Sequence, residues 1–391
     1  MRFLTAAAAV LCLSTAAHAQ QVPCGGSFSG FVADMKREAA QMGYAQGVID
    51  GFFAGVSQSQ GVLNADRAQG FFQSGFVDFS RKLISQYRLD RGRQNAQTYD
   101  AIFDGIESRY GVPRGVLLSF WAFETDYGGF QGDFNTINAL VTLSHDCRRP
   151  ELFRPQVFAA LELFRHGDLD RNTTGAWAGE IGMVQMLPGD IIEHGVDADG
   201  DGIVTLKTSI PDALYSGASL LRSFGWQPNQ PWMEEVAMPA NFPWEQTGLR
   251  TTRTAAEWGR MGVQPRSGSF AAPNLRASII VPQGHRGPAF LVYPNFSTLF
   301  EWNQSFVYVT TAAYFATRLQ GAPVYNPGNP TPALGQEQMK ALQRRLQAMG
   351  YDVGGIDGIL GANTRAAVQQ EQERLGLPAD AWPTQELLNR L

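Results

Sequence analysis

"YGVPRGVLLSFWAFETDYG", residues 110–128, carries an apolar helical run that ends on a carboxylate. The spacing predicts a helix in which Leu117, Phe120, Trp121 and Glu124 fall at i, i+3, i+4 and i+7. Glu124 then continues the apolar stripe instead of facing away from it. Gly128–Gly129 is expected to end the helix just beyond. Desolvation on the stripe and the negative end of the helix dipole both raise a glutamate pKa. That is the property of a general acid near neutral pH. Asp126 is the nearest second carboxylate, but two residues on it lies about 200° around the helix, so local geometry makes no dyad.

The rest of the chain favours carboxylate chemistry by exclusion. Its 391 residues are enough for more than one domain. A net charge of -5 with no basic run argues against an electrostatic nucleic-acid binder. The five histidines (His18, His145, His166, His194 and His285) stand apart, without metal-ligand spacing. There is no G-x-S-x-G, H-E-x-x-H, Walker loop or Rossmann glycine pattern.

Residues 1–19 read as a leader: Arg2, a short apolar stretch, then "AHA" before Gln20, with cleavage expected after Ala19. No later segment approaches the roughly 18 apolar residues of a membrane span. An exported, periplasmic, monomeric protein is expected. Cys12 leaves with the leader, and Cys24 and Cys147 remain as an even pair in an oxidising compartment, so a disulfide between them is expected.

Helical spacing runs from about residue 28 to 225, broken by "GGFQGDFN", "HGDLDRNTTG" and "DADGDG". "ASIIVPQGHRGPAFLVYPNF", residues 277–296, reads as a β-hairpin about a Gly/Pro turn. A helix returns at "VYVTTAAYFATRLQ". Residues 323–333, with Pro323, Pro327, Pro330 and Pro332, read as a stiff extended linker before a small helical unit at 334–391. Asp197, Asp199 and Asp201 with Gly202 and the Ile203 carbonyl match positions 1, 3, 5, 6 and 7 of an EF-hand loop. Position 12 is Thr208 instead of glutamate, so the pattern is incomplete, and an Asp/Gly-rich turn without metal is the equal alternative.

Three blocks in order, residues 110–128, "AWAGEIGMVQMLPGD" at 176–190 and "DADGDGIVTLKTSIPDAL" at 197–214, resemble the catalytic domain of B-type lytic murein transglycosylases. The resemblance covers about residues 24–320. It implies a mainly α, lysozyme-like catalytic domain with a small β-containing subdomain, here placed at 20–322. It implies that Glu124 alone serves as acid and then base on peptidoglycan glycan strands. Glu124 would cleave the β-1,4 bond between N-acetylmuramic acid and N-acetylglucosamine and close a 1,6-anhydro ring, with no cofactor required. Gln185 and Met183 would line the site. Trp302, Asn303 and Tyr308 of "WNQSFVY" would contact sugar and acid, with Trp302 standing where tyrosine is common. Arg148 and Arg149 of "CRRPELF" would face the peptide-bearing side. Asp212 would complete a structural Ca²⁺ site. Ala176 stands where a serine that helps position the acid is common.

Residues 342–377 resemble the peptidoglycan-binding domain type 1, a three-helix module, with Glu371-Gln372 in place of the usual Phe-Gln. The competing functions are a muramidase that hydrolyses with water and a non-catalytic wall-binding scaffold.

Overall fold

The computed structural model describes residues 22–68 and 74–391, so the expected leader lies outside the described residues. Six helices come first: α1 (Phe28–Gln41), α2 (Gln46–Phe53), α3 (Gln60–Arg67), α4 (Phe76–Leu83), α5 (Gln86–Thr98) and α6 (Asp100–Tyr110). They surround α7 (Arg114–Thr125), α8 (Thr136–His145), α9 (Pro150–His166), α10 (Pro188–His194) and α11 (Ile210–Ser223). Local chemistry starts many of them. Ser27, Ser59, Ser85, Asn135 and Ser209 each accept a backbone N–H two or three residues into the first turn of the helix they cap.

Two of the breaks in the helical pattern pair with each other. β1 (Phe134–Asn135) and β2 (Thr174–Gly175) form an antiparallel two-stranded sheet that fixes the loops beside the end of α7.

The expected hairpin is present, as β6 (Arg276–Ile280) and β7 (Ala289–Val292). It sits inside a five-stranded sheet with β3 (Met233–Ala237), β4 (Arg253–Thr254) and β5 (Gln264–Pro265), in the order β4-β6-β7-β3-β5. Helix α12 (Ala255–Arg260), opened by a Thr254/Glu257 capping box, closes one side and buries Trp258. One sheet face thus has its own core, while Phe290 and Val292 on the other join the helical core.

The chain then returns through α13 (Pro294–Trp302) and α14 (Phe306–Leu319), and α14 packs along α7. A Cβ on Gly115 would fall 2.7 Å from Ala316 O, so only glycine lets the two helices approach this closely. Phe123 stacks on Phe315, with ring centres 5.1 Å apart. Phe120, Trp121 and Phe315 are buried in this layer, each contributing about 2–3 kcal/mol.

The C-terminal helices α15 (Gln336–Ala348), α16 (Ala362–Arg374) and α17 (Gln385–Arg390) share a separate small core. Glu371, in the position where an aromatic was expected, is buried, accepts from Tyr351 Oη at 2.6 Å and pairs with Arg374. The segment before these helices has no regular structure and lies against neighbouring elements. Tyr325 is buried and meets Ser80 and Tyr314, Asn326 N donates to Glu235, and Asn329 N donates to Arg286 O.

The three-helix unit is docked. Asp380 accepts from His285 N at 2.8 Å and lies 2.6 Å from His285 Nδ1. Burial alone would raise the Asp380 carboxyl, but these bonds hold it below its usual range. Arg365 donates to Pro282 O at 3.0 Å, and its guanidinium lies 4.4 Å from the Phe306 ring centre. Desolvation lowers its pKa to about 10, opposed by Asp380, so it stays cationic at neutral pH. Arg365→Ala is expected to weaken docking by about 2 kcal/mol. Limited proteolysis should then find new cleavage between residues 321 and 335, and an unchanged digestion pattern would contradict the pin.

Candidate active site

Helix α7 delivers Glu124 in its last turn, and its ending differs from expectation. Asp126 and Tyr127 already take positive φ, of 53° and 61°, ahead of Gly128 at 84°. Their N–H groups close the helix onto Ala122 O and Trp121 O. Side chains on α5 brace the strained turn: Arg88 Nε donates to Asp126 Oδ1 at 2.9 Å, and Tyr127 Oη donates to Arg88 O at 2.7 Å. Asp126 is thus engaged away from the acid, as its position on the helix predicts. Five non-glycine residues have positive φ among the described residues, and three of them, Asp126, Tyr127 and Gln185, flank Glu124 in sequence or across the loop.

One oxygen of Glu124 is anchored. Oε1 accepts from Tyr308 Oη at 2.5 Å and from Trp302 Nε1 at 3.1 Å. Ser305 caps α14 through Tyr308 N, which sets the phenol in place. Trp302 stacks on Phe120 at 4.4 Å, so one indole face is covered. Its N–H supplies a ring donor to the carboxylate from the position where tyrosine is common. Oε2 carries no hydrogen bond from the described residues and is not sealed, so it is the oxygen that can carry and release a proton.

Burial raises the Glu124 pKa from 4.5 to about 7, the Tyr308 and Trp302 bonds pull it down, and the nearby Glu180 charge pushes it up. Removing one donor has a defined sign. Trp302→Phe keeps the stack but takes a hydrogen bond from the carboxylate, so the alkaline limb of the pH–rate profile is expected to move to higher pH. Activity at neutral pH should fall by roughly tenfold. A limb that moves to lower pH would contradict the assignment.

The 176–186 loop is tied to the acid's helix, because Thr125 Oγ1 donates to Met183 O at 2.7 Å. Met183 is buried under this loop. Gln185, with φ of 53°, spends its amide on Gly182 O at 2.7 Å, so its N–H group shapes the loop. Asn303 Oδ1 accepts from Ser305 N at 2.9 Å, which leaves its NH₂ without an acceptor among the described residues. Arg148 and Arg149 are both part-exposed. Both bind the carboxylate of the buried Asp66.

Sequence reasoning missed Glu180, a largely buried carboxylate whose effect reaches Glu124. The signal was there: it is the one charge inside "AWAGEIGMVQML".

In the acidic loop, carboxylate oxygens of Asp197, Asp199 and Asp212 lie within 4.8 Å of one another. Asp201 does not join them. Its Oδ1 accepts from Ile203 N. Three hard oxygen donors suit Ca²⁺. Backbone N–H groups already meet Asp197 and Asp212, and Ser209 donates to Asp199. Cys24 and Cys147 are bonded, with Cα atoms 5.3 Å apart.

Comparison with known proteins places this geometry. Residues 335–391 match a model of a peptidoglycan binding domain. Membrane-bound lytic murein transglycosylase B of Escherichia coli K12 is 27% identical over 237 residues, 59% of this chain and 63% of that protein's length. The structure of SltB3 from Pseudomonas aeruginosa in complex with NAG-anhNAM-pentapeptide superposes with a TM-score of 0.86. It is 35% identical, covering 94% of this chain and 99% of SltB3. Slt35 of Escherichia coli, in complex with calcium, is 22% identical with a TM-score of 0.62, covering 77% of this chain and 97% of its own; it shares the fold. Residues 27–317, well over half of the chain and including every element around Glu124, match the family model described as the transglycosylase SLT domain, and the chain belongs to that family.

Proposed function

We propose that the protein is an exported lytic transglycosylase that cleaves the β-1,4 bond between N-acetylmuramic acid and N-acetylglucosamine in peptidoglycan. The observation that carries this reading is the state of Glu124. One oxygen is anchored by two ring donors, the other is free, and the pKa of about 7 keeps a proton available at neutral pH. Glu124 Oε2 protonates the glycosidic oxygen as the bond to C1 breaks. The resulting carboxylate, stabilised by Tyr308 and Trp302, then takes the proton from the muramoyl 6-hydroxyl, whose oxygen bonds to C1. The leaving sugar keeps the first proton and the acid regains one from the hydroxyl, so the cycle closes without water. The anhydro sugar bound by the 35% identical SltB3 is of the kind this chemistry makes.

Gln185, Met183, Trp302, Asn303 and Tyr308 form the near side of the site in this reading, and Arg148 and Arg149 face the peptide-bearing side. The catalytic domain spans 20–322 and a wall-binding domain spans 334–391, joined by 323–333. In this reading the protein is exported to the periplasm and acts there as a monomer. No helix among the described residues is long and apolar enough to cross a membrane. On purified murein sacculi, soluble muropeptides are expected to appear, and their absence would contradict the reading.

A hydrolytic muramidase is favoured by one observation, the second buried carboxylate at Glu180, because hydrolysis by inversion uses two. A Ca²⁺ held by Asp197, Asp199 and Asp212 would tie the acidic loop to the start of α11 and supply no catalytic step. Its expected sign is a thermal midpoint that rises in calcium relative to chelator; equal midpoints would remove the metal from the account.

A further inference from the structure

The loop from β2 to Met186 is built tightly. Ala176 N donates to Glu180 O at 2.9 Å, and Ile181 and Met186 bridge each other. A Cβ on Gly175 would fall 2.0 Å from the same Glu180 oxygen, so the turn requires glycine there. The loop is held against the acid's helix by the Thr125–Met183 bond. Within it, Glu180 Oε2 is sealed from solvent and has no hydrogen-bond partner among the described residues. Burial raises the Glu180 carboxyl, while its own N–H, Arg149 and the Ala178 N–H favour the charged form.

Arg149 is the opposing charge within reach, yet one of its nitrogens is committed to Asp66 and its Nε stays unbonded. A carboxylate oxygen left in this state is costly to the fold and calls for another explanation than stability.

We propose, resting on the assignment of Glu124 as the acid, that Glu180 is a positioning residue for the reaction: its carboxyl group, sealed in the loop that the Thr125–Met183 bond locks to α7, acts through Glu124. The groups facing Glu124 divide cleanly. Tyr308 from α14 and Trp302 from α13 donate to it and favour its ionised form. Asp126 at the end of its own helix is paired with Arg88 of α5. Glu180 opposes ionisation. The charged group that acts on Glu180 is Arg149, which shares Asp66 with Arg148. Lys207 is held on the neighbouring Thr174. Donors and anion therefore pull the acid in opposite directions, and the balance sets the pH at which it works.

The test is the pH dependence of kcat/KM for total glycan cleavage by the full-length protein, comparing wild type, Glu180→Gln and Glu180→Asp, with folding checked by circular dichroism. In Glu180→Gln the alkaline limb is expected to move to lower pH by about half a unit or more. This is opposite to the shift expected of Trp302→Phe. Glu180→Asp, which keeps the charge, is expected to restore much of the wild-type limb. A Glu180→Gln limb that superimposes on wild type, or a loss equal at every pH, would overturn the proposal and leave Glu180 a structural residue. The limb is read from total cleavage, so product identity tests the lytic reading separately.

Discussion

Glu124→Gln is expected to lower muropeptide release from sacculi by roughly 10³-fold, the scale of a lost general acid. The amide can still accept from Tyr308 and Trp302, so the fold and the cleft remain, but it has no proton to give. The same substitution should stabilise the protein at alkaline pH. The folded-state pKa of Glu124 is raised from 4.5 to about 7. Between those values the native state holds a proton that the unfolded chain has released, so stability falls as pH rises through this window. Above it the wild type carries a penalty of about 3 kcal/mol at most, which glutamine abolishes. Denaturant unfolding at pH 5 and pH 8 measures it. Glu124→Gln should lie close to wild type at pH 5 and clearly exceed it at pH 8. Equal stability at both pH values would contradict the burial of the acid, and retained activity would contradict its role.

Removing the Cys24–Cys147 bridge has the largest expected effect on stability. The bond joins cysteines 123 residues apart. In the chain-entropy model, opening so long a loop costs about 4–5 kcal/mol, or a fall in thermal midpoint of roughly 7–10 °C. Local contacts limit the structural change. Gly25 N still donates to His145 O at 2.9 Å, His145 Nε2 lies 3.0 Å from Gly26 O, and Phe28 and Phe31 still pack their edges against the His145 ring. The double variant Cys24→Ala/Cys147→Ala is therefore expected to keep the cleavage activity at low temperature and lose it early on heating. A thermal scan checks this, and a midpoint within a degree or so of wild type would show that the unfolded chain gains little freedom from opening the loop.

Glu124 was legible because a charge on an apolar stripe violates the pattern that makes the helix. The break after it was legible as well, but its chemistry was not. Asp126 and Tyr127 adopt left-handed backbone in a turn that Arg88, far away in sequence, braces at both residues. Trp302 could be placed near the acid by its segment. Whether it stacks on sugar or donates to Glu124 depends on the angle at which α13 meets Phe120, which no local pattern encodes. The prolines of 323–333 specify extension but not what the extended chain lies on. The docking of α16 rests on Arg365, Gln369 and Asp380 meeting residues about 80 to 120 positions earlier. The acidic loop reads as an EF-hand by spacing alone, whereas the folded loop recruits Asp212 and turns Asp201 away.

The most direct test of the central claim is the product formed in heavy-oxygen water. Digestion of sacculi by the full-length protein, followed by mass spectrometry of the soluble muropeptides, separates the two fates of C1. If the muramoyl 6-hydroxyl closes the ring, the products are lighter than reducing-end muropeptides by one water and carry no heavy oxygen. Reducing-end products labelled with heavy oxygen would contradict the account and make Glu124 and Glu180 the two carboxylates of a hydrolase.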